Sequence, residues 1–208
     1  MRRRIPLALT LLRLALAPML LLLSDRPRPL TFGLILTAAV LSDIFDGVLA
    51  RRLRVATPFL RRLDSAVDII FYLAVGWTLW RLRPEVVRAH EVLLGAVVGL
   101  ELLRFGIERR KYGRKASYHL WSAKAWGLAL FAGALGLLGF GGGSGWFALM
   151  LWPGIVENLE ALAVTFLLPA WTHDVPSAVH AFRMRATVRQ APLAAGGGSG
   201  HAQGQELP

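Results

Sequence analysis

The chain has 208 residues, is 55% hydrophobic and 18% charged, and has a mean hydropathy of +0.49, which is too apolar for an ordinary soluble domain of this length. Its net charge of +11 would suit a nucleic-acid partner, but the basic residues gather in the connections between apolar runs, so membrane topology accounts for them and nucleic acid is not expected. There are no cysteines, which excludes disulfides and thiolate metal sites.

Six runs of about 20 mostly apolar residues are long enough to cross a bilayer as helices, at roughly 5–24, 30–50, 60–80, 90–108, 120–140 and 146–170. The first, IPLALTLLRLALAPMLLLL, follows MRRR as a signal peptide would. Its core is long, carries Arg13 and lacks a small-residue cleavage site before SDRPRP, so it reads as a retained helix.

The second run ends in SDIFDGVLARR, where Asp43, Asp46, Gly47, Ala50 and Arg51 follow the spacing i, i+3, i+4, i+7, i+8 and form one stripe of a helix. The link LRVATPF contains Pro58, which suits a break before a helix or its first turn. Asp64 and Asp68, at i and i+4, share a face at the start of the third run. Two antiparallel helices joined by so short a link are neighbours, and their carboxylate faces are expected to meet. A carboxylate near hydrocarbon is costly unless it is paired, metal-bound or facing water.

Four oxygen ligands without Cys or His suit a hard cation, so magnesium or manganese is expected. Gly47 and Ala50 would let a bulky ligand approach the backbone, and Arg51 offers a forked donor for phosphate oxygens. The stripe therefore reads as a metal-plus-diphosphate site at the boundary of membrane and cytosol. Two other readings stay open. Asp43 and Asp46 could pair with Arg51 and Arg52 or lie at a frayed helix end, or the acids could line a path for cation translocation.

In the fourth run Arg104 sits within GLELLRFGIERR, and in the fifth Lys124 sits within WSAKAWG. Basic residues so placed face a polar cavity or snorkel to the surface. Tyr118 and His119 read as interface residues. Glu157 and Glu160 interrupt the sixth run without an assigned role. THDVPSAVHAFRMR, Thr172 to Arg185, reads as a short interfacial helix after Pro176. The tail from Ala191 is rich in Gly, Ser, Ala and Gln and is expected to be disordered, leaving a membrane domain over 1–190 and a tail over 191–208.

With six spans, 16 Lys and Arg residues fall at the two termini and the second and fourth connections, against 5 in the other three. The positive-inside rule then places both termini, and the carboxylate end of the second and third spans, on the cytoplasmic side of the inner membrane. The expected architecture is all-α, a bundle of six transmembrane helices with the active site at its cytoplasmic end.

The run Asp43-x2-Asp46-Gly47-x2-Ala50-Arg51, with Asp64 and Asp68 at their set distances, resembles the signature D-x2-D-G-x2-A-R-x8-G-x3-D-x3-D of the CDP-alcohol phosphatidyltransferase family. Seven of eight fixed positions agree, and Leu60 stands where the family has glycine. The opening helix and the six-run plan over about residues 5–170 are similar too. The resemblance implies displacement of CMP from a CDP-linked lipid, CDP-diacylglycerol, by the hydroxyl of a small polar alcohol, in phospholipid biosynthesis. Glycerol 3-phosphate or an inositol-type polyol is favoured as acceptor over serine. It implies metal ligation by Asp43, Asp46 and Asp64, with Asp68 as ligand or general base. Gly47, Ala50 and Arg51 become the cytidine-diphosphate contact, and Arg104 and Lys124 acceptor-phosphate contacts. Homodimers are frequent in the family. The non-enzymatic alternative is a family-fold protein that is inactive or that translocates divalent cations.

Overall fold

The computed structural model describes residues 4–53, 57–114, 118, 120–168 and 175–183; the side chains of Arg4, Ala50, Arg51, Pro58 and Arg61, though in helices, lie outside that description. The described chain is all-helical: α1 (Arg4–Leu22), α2 (Pro29–Arg52), α3 (Pro58–Leu82), the short α4 (Pro84–Ala89), α5 (Glu91–Tyr112), α6 (Trp121–Ala134) continuing into a π-helical turn (Leu135–Gly139), and α7 (Gly145–Leu167). A further helical turn covers 178–183, inside the stretch expected to form an interfacial helix. The tail over 191–208 and His119 lie outside the described residues.

Among the described residues, five helical stretches are long and apolar enough to cross a membrane: Ile5–Leu22, Pro29–Leu49, Arg62–Leu82, Trp121–Gly139 and Gly145–Leu167. The chain is accordingly an integral membrane protein by the length and composition of its helices. In hydrocarbon an α-helix is one of the few structures that satisfies every backbone polar group internally, which is why these runs fold as they do. The fourth expected span corresponds to α5. At 22 residues it is about 33 Å long, enough for the purpose. It is not among the five because Glu101, Arg104 and Glu108 interrupt its apolar sequence.

The residues divide into two compact units, Met1–Gly99 with Lys124–Ile155, and Leu100–Ala123 with Val156–Pro208. In the first, α1 packs against both α2 and α3. The buried positions of α1 (Thr10, Arg13, Ala17 and Leu20) recur at helical spacing, as do Phe32, Ile35, Leu36, Ala39, Ser42 and Asp46 on α2. The apolar stripe of each helix thus runs directly into its polar residues. Thr57, with φ −102° and ψ 155°, caps α3: its hydroxyl oxygen accepts from the Leu60 amide at 3.2 Å, and Pro58 fills the first helical position. This cap sets where the third helix begins, hence where Asp64 and Asp68 point.

Close approach in the same unit depends on glycine. A Cβ on Gly136 would lie 2.3 Å from the Trp146 ring, one on Gly142 2.4 Å from it, and one on Gly154 2.6 Å from the Trp126 ring. Small residues at such crossings let membrane helices come together where the hydrophobic effect offers no drive.

The second unit has its own apolar cluster, with Leu120, Ala161, Val164, Leu168, Val175 and Ala181 buried together. It also accounts for the two glutamates that interrupt α7. Glu157 accepts from Arg104 Nη1 at 2.6 Å, and Glu101 accepts from Arg104 Nη2 at 2.7 and 2.8 Å. Glu160 accepts from the Ser122 hydroxyl at 2.5 Å and from the Ala178 amide at 3.0 Å, capping the turn at 178–183. Lys111 Nζ donates to the carbonyls of Thr165 and Leu168, at 2.6 and 2.8 Å, where the end of α7 leaves carbonyls open.

Candidate active site

The four acids of the motif come together, and the group they share is one the motif does not contain. Arg13, on α1, is 2% exposed and reaches all four carboxylates. Its Nη2 donates to Asp46 Oδ2 at 2.7 Å. Its Nη1 lies 3.0 Å from Asp43 Oδ1 and 3.2 Å from Asp64 Oδ1, and donates to Asp68 Oδ1. The Thr10 hydroxyl, bonded to the Pro6 carbonyl at 3.1 Å, also approaches Asp46 Oδ2 at 3.4 Å.

The acids are not equivalent. Asp46 is buried, at 6% exposure, and is held by Arg13 and Thr10. Asp43, Asp64 and Asp68 are more open, with side chains 52%, 32% and 35% exposed. These three each offer an oxygen within 4.8 Å of the others, a spacing that could hold a metal ion. The site's open side therefore presents two acids from α3 and one from α2, and Asp46 forms its floor. A cleft beside Asp43 and Asp68 is lined further by Phe71, Tyr72 and Phe131.

The donor set fits a hard divalent cation. It is all carboxylate oxygen, and Asp64 Oδ1 is buried without a hydrogen-bond partner among the described residues. A shielded carboxylate oxygen without a hydrogen bond is a donor atom free to ligate a cation.

Gly47 is half-buried on α2, one residue past Asp46. The side chains of Ala50 and Arg51 lie outside the described residues, so the expected cytidine-diphosphate stripe is seen here only as continuous helix backbone. Leu60 is half-buried in the capped first turn of α3, one turn before Asp64. Arg104 makes its ion pairs in the second unit, and Lys124 is exposed near the start of α6.

Arg13 was not expected at the site; in the sequence it counts only against a cleavable leader. A usable signal was present, since Thr10 and Arg13 stand at i and i+3 in an aliphatic helix and so share its inward face with Ala17 and Leu20. What the sequence lacks is any indication that this face meets the aspartates of two other helices.

An all-helical integral membrane protein whose carboxylates from two helices gather against a third belongs, by fold and site, to the membrane proteins that could hold a hard cation. Over residues 3–171 the chain matches the CDP-alcohol phosphatidyltransferase family model, and it belongs to that family. It is a transferase by that membership, acting with a CDP-linked donor and an alcohol acceptor, and the family generally uses a divalent metal. No curated protein and no solved structure matches the chain.

Proposed function

We propose that this chain transfers a phosphatidyl group from CDP-diacylglycerol to the hydroxyl of a small polar alcohol and releases CMP, in phospholipid biosynthesis at the cytoplasmic face of the inner membrane. The observation that carries the reading is the convergence of Asp43, Asp64 and Asp68 within 4.8 Å in the register of the family motif. Glycerol 3-phosphate or an inositol-type polyol is the favoured acceptor.

Asp43, Asp46, Asp64 and Asp68 would hold magnesium or manganese. When bound, the ion supplies neutralisation of the charge on the diphosphate oxygens. Asp68 then accepts the acceptor's hydroxyl proton as that oxygen bonds to the lipid-bearing phosphorus. The bond from that phosphorus to the bridging oxygen breaks, and CMP leaves with the oxygen. Gly47 and Ala50 keep the α2 surface low for the cytidine diphosphate, and Arg51 binds its phosphates through a forked donor. Arg104 and Lys124 are proposed as acceptor-phosphate contacts from their sequence positions alone. The fourth of the six spans in the proposed topology is α5, whose charges are offset by the pairing of Arg104 with Glu101 and Glu157.

Purified protein supplied with CDP-diacylglycerol, magnesium and each radiolabelled alcohol in turn tests the reading. CMP release coupled to one labelled phospholipid is expected. Absence of CMP release with every acceptor would favour an inactive or ion-translocating protein on the same fold.

A further inference from the structure

Arg13 is over-subscribed. One guanidinium faces four carboxylates, three of them on the single nitrogen Nη1, which carries two N–H donors. Asp64 Oδ1, 3.2 Å away, is consequently left without a hydrogen bond, and Arg13 Nε is also buried without one. The group is thus held together by one positive charge against four negative ones, with the Thr10 hydroxyl adding a contact on Asp46. Arg13 and Asp46 are buried and Asp64 Oδ1 is shielded from solvent, so bulk water does little to neutralise the inner side of the cluster, and a cation there favours contact among its helices. The oxygens that Nη1 touches, on Asp43, Asp64 and Asp68, come from the same three residues that offer a cation its ligands.

We propose that Arg13 is a resident counter-cation of the carboxylate cluster: it keeps α1, α2 and α3 together when no divalent ion is bound, and it competes with that ion for the same acids. The proposal rests on the metal reading given above and adds a positioning residue on a helix outside the motif. Two consequences oppose each other and so identify the role. Removing the guanidinium weakens the metal-free protein, because four carboxylates then face one another unpaired. It also tightens metal binding, because a competing positive charge is gone and Asp46 Oδ2 becomes available as a ligand. A merely structural ion pair has the first consequence without the second.

The test uses the full chain in detergent, comparing parent and Arg13→Met by manganese binding, read from the electron paramagnetic resonance of free Mn²⁺, and by thermal unfolding in chelator and in saturating Mn²⁺. In Arg13→Met the manganese dissociation constant is expected to fall by about tenfold or more, as loss of a unit charge a few ångströms from the ion implies. Its unfolding temperature is expected to drop more in chelator than in Mn²⁺, so that the metal-induced rise exceeds that of the parent. Equal drops in both conditions, or weaker manganese binding, would overturn the proposal. If Arg13→Met does not fold, Arg13→Gln serves, since its amide can donate hydrogen bonds to the acids without carrying the competing charge. Manganese should then bind more tightly than in the parent, and unchanged or weaker binding overturns the idea. A parent that binds no manganese would defeat the metal reading itself, and the proposal with it. A parent that binds manganese beside an Arg13 variant that binds it no better defeats the proposal alone.

Discussion

Asp46 and Asp68 carry the same side chain and belong to the same motif, yet the fold gives them different surroundings. Asp46 is enclosed and doubly contacted, by Arg13 and Thr10, whereas Asp68 is about one-third exposed and borders the open cleft. A base must reach the acceptor hydroxyl, so the exposed position suits Asp68. If it is the base, Asp68→Asn should keep donor binding and lose turnover by about 10²–10⁴-fold, in the maximal rate rather than the donor's half-saturation. Titrating the variant with magnesium separates base from ligand: flat, low activity is expected, and strong rescue would make Asp68 chiefly a ligand. Asp43→Asn and Asp64→Asn, in contrast, should weaken metal and donor binding together. The identities of these acids were legible in the sequence because helical spacing alone puts them on facing stripes. Their division into a floor and a rim was not, because it depends on Arg13 and Thr10 arriving from a third helix.

At the level of elements, the long helices were legible because each is a run of apolar residues of membrane length, and the start of α3 was marked by Thr57 and Pro58. The short α4 and the π-helical turn at Leu135–Gly139 were not anticipated. Neither has a hydrophobic period of its own, and the turn is fitted to Trp146 by Gly136, whose packing partner lies 10 residues further along the chain. Glu157 and Glu160 were likewise opaque, since the groups that neutralise and bond them, Arg104, Ser122 and the Ala178 amide, come from other segments. The glycine notch makes a prediction. Gly136→Ala puts a methyl 2.3 Å from the Trp146 ring and should destabilise the protein by about 1–3 kcal/mol in detergent unfolding. Gly127→Ala, which meets nothing within 4 Å, should be neutral or stabilising. Equal effects of the two would show that the close approach at Gly136 contributes nothing.

For the whole molecule, the account requires six crossings, with α5 among them despite its charges. The chain's lack of cysteine makes the test clean. Single cysteines introduced at Arg54 and at Ser144 should label from opposite faces of the membrane. Labelling from the same face would remove α5 from the bilayer and leave five crossings. The central claim, however, is chemical: the carboxylates brought together around Arg13 hold a divalent ion that is needed to release CMP from a CDP-linked lipid. Its most direct measurement is CMP release from CDP-diacylglycerol by the purified chain, first with magnesium, then after exhaustive chelation, then after magnesium or manganese is returned. The account predicts turnover, its loss and its recovery in that order. Undiminished CMP release from metal-stripped protein would contradict it.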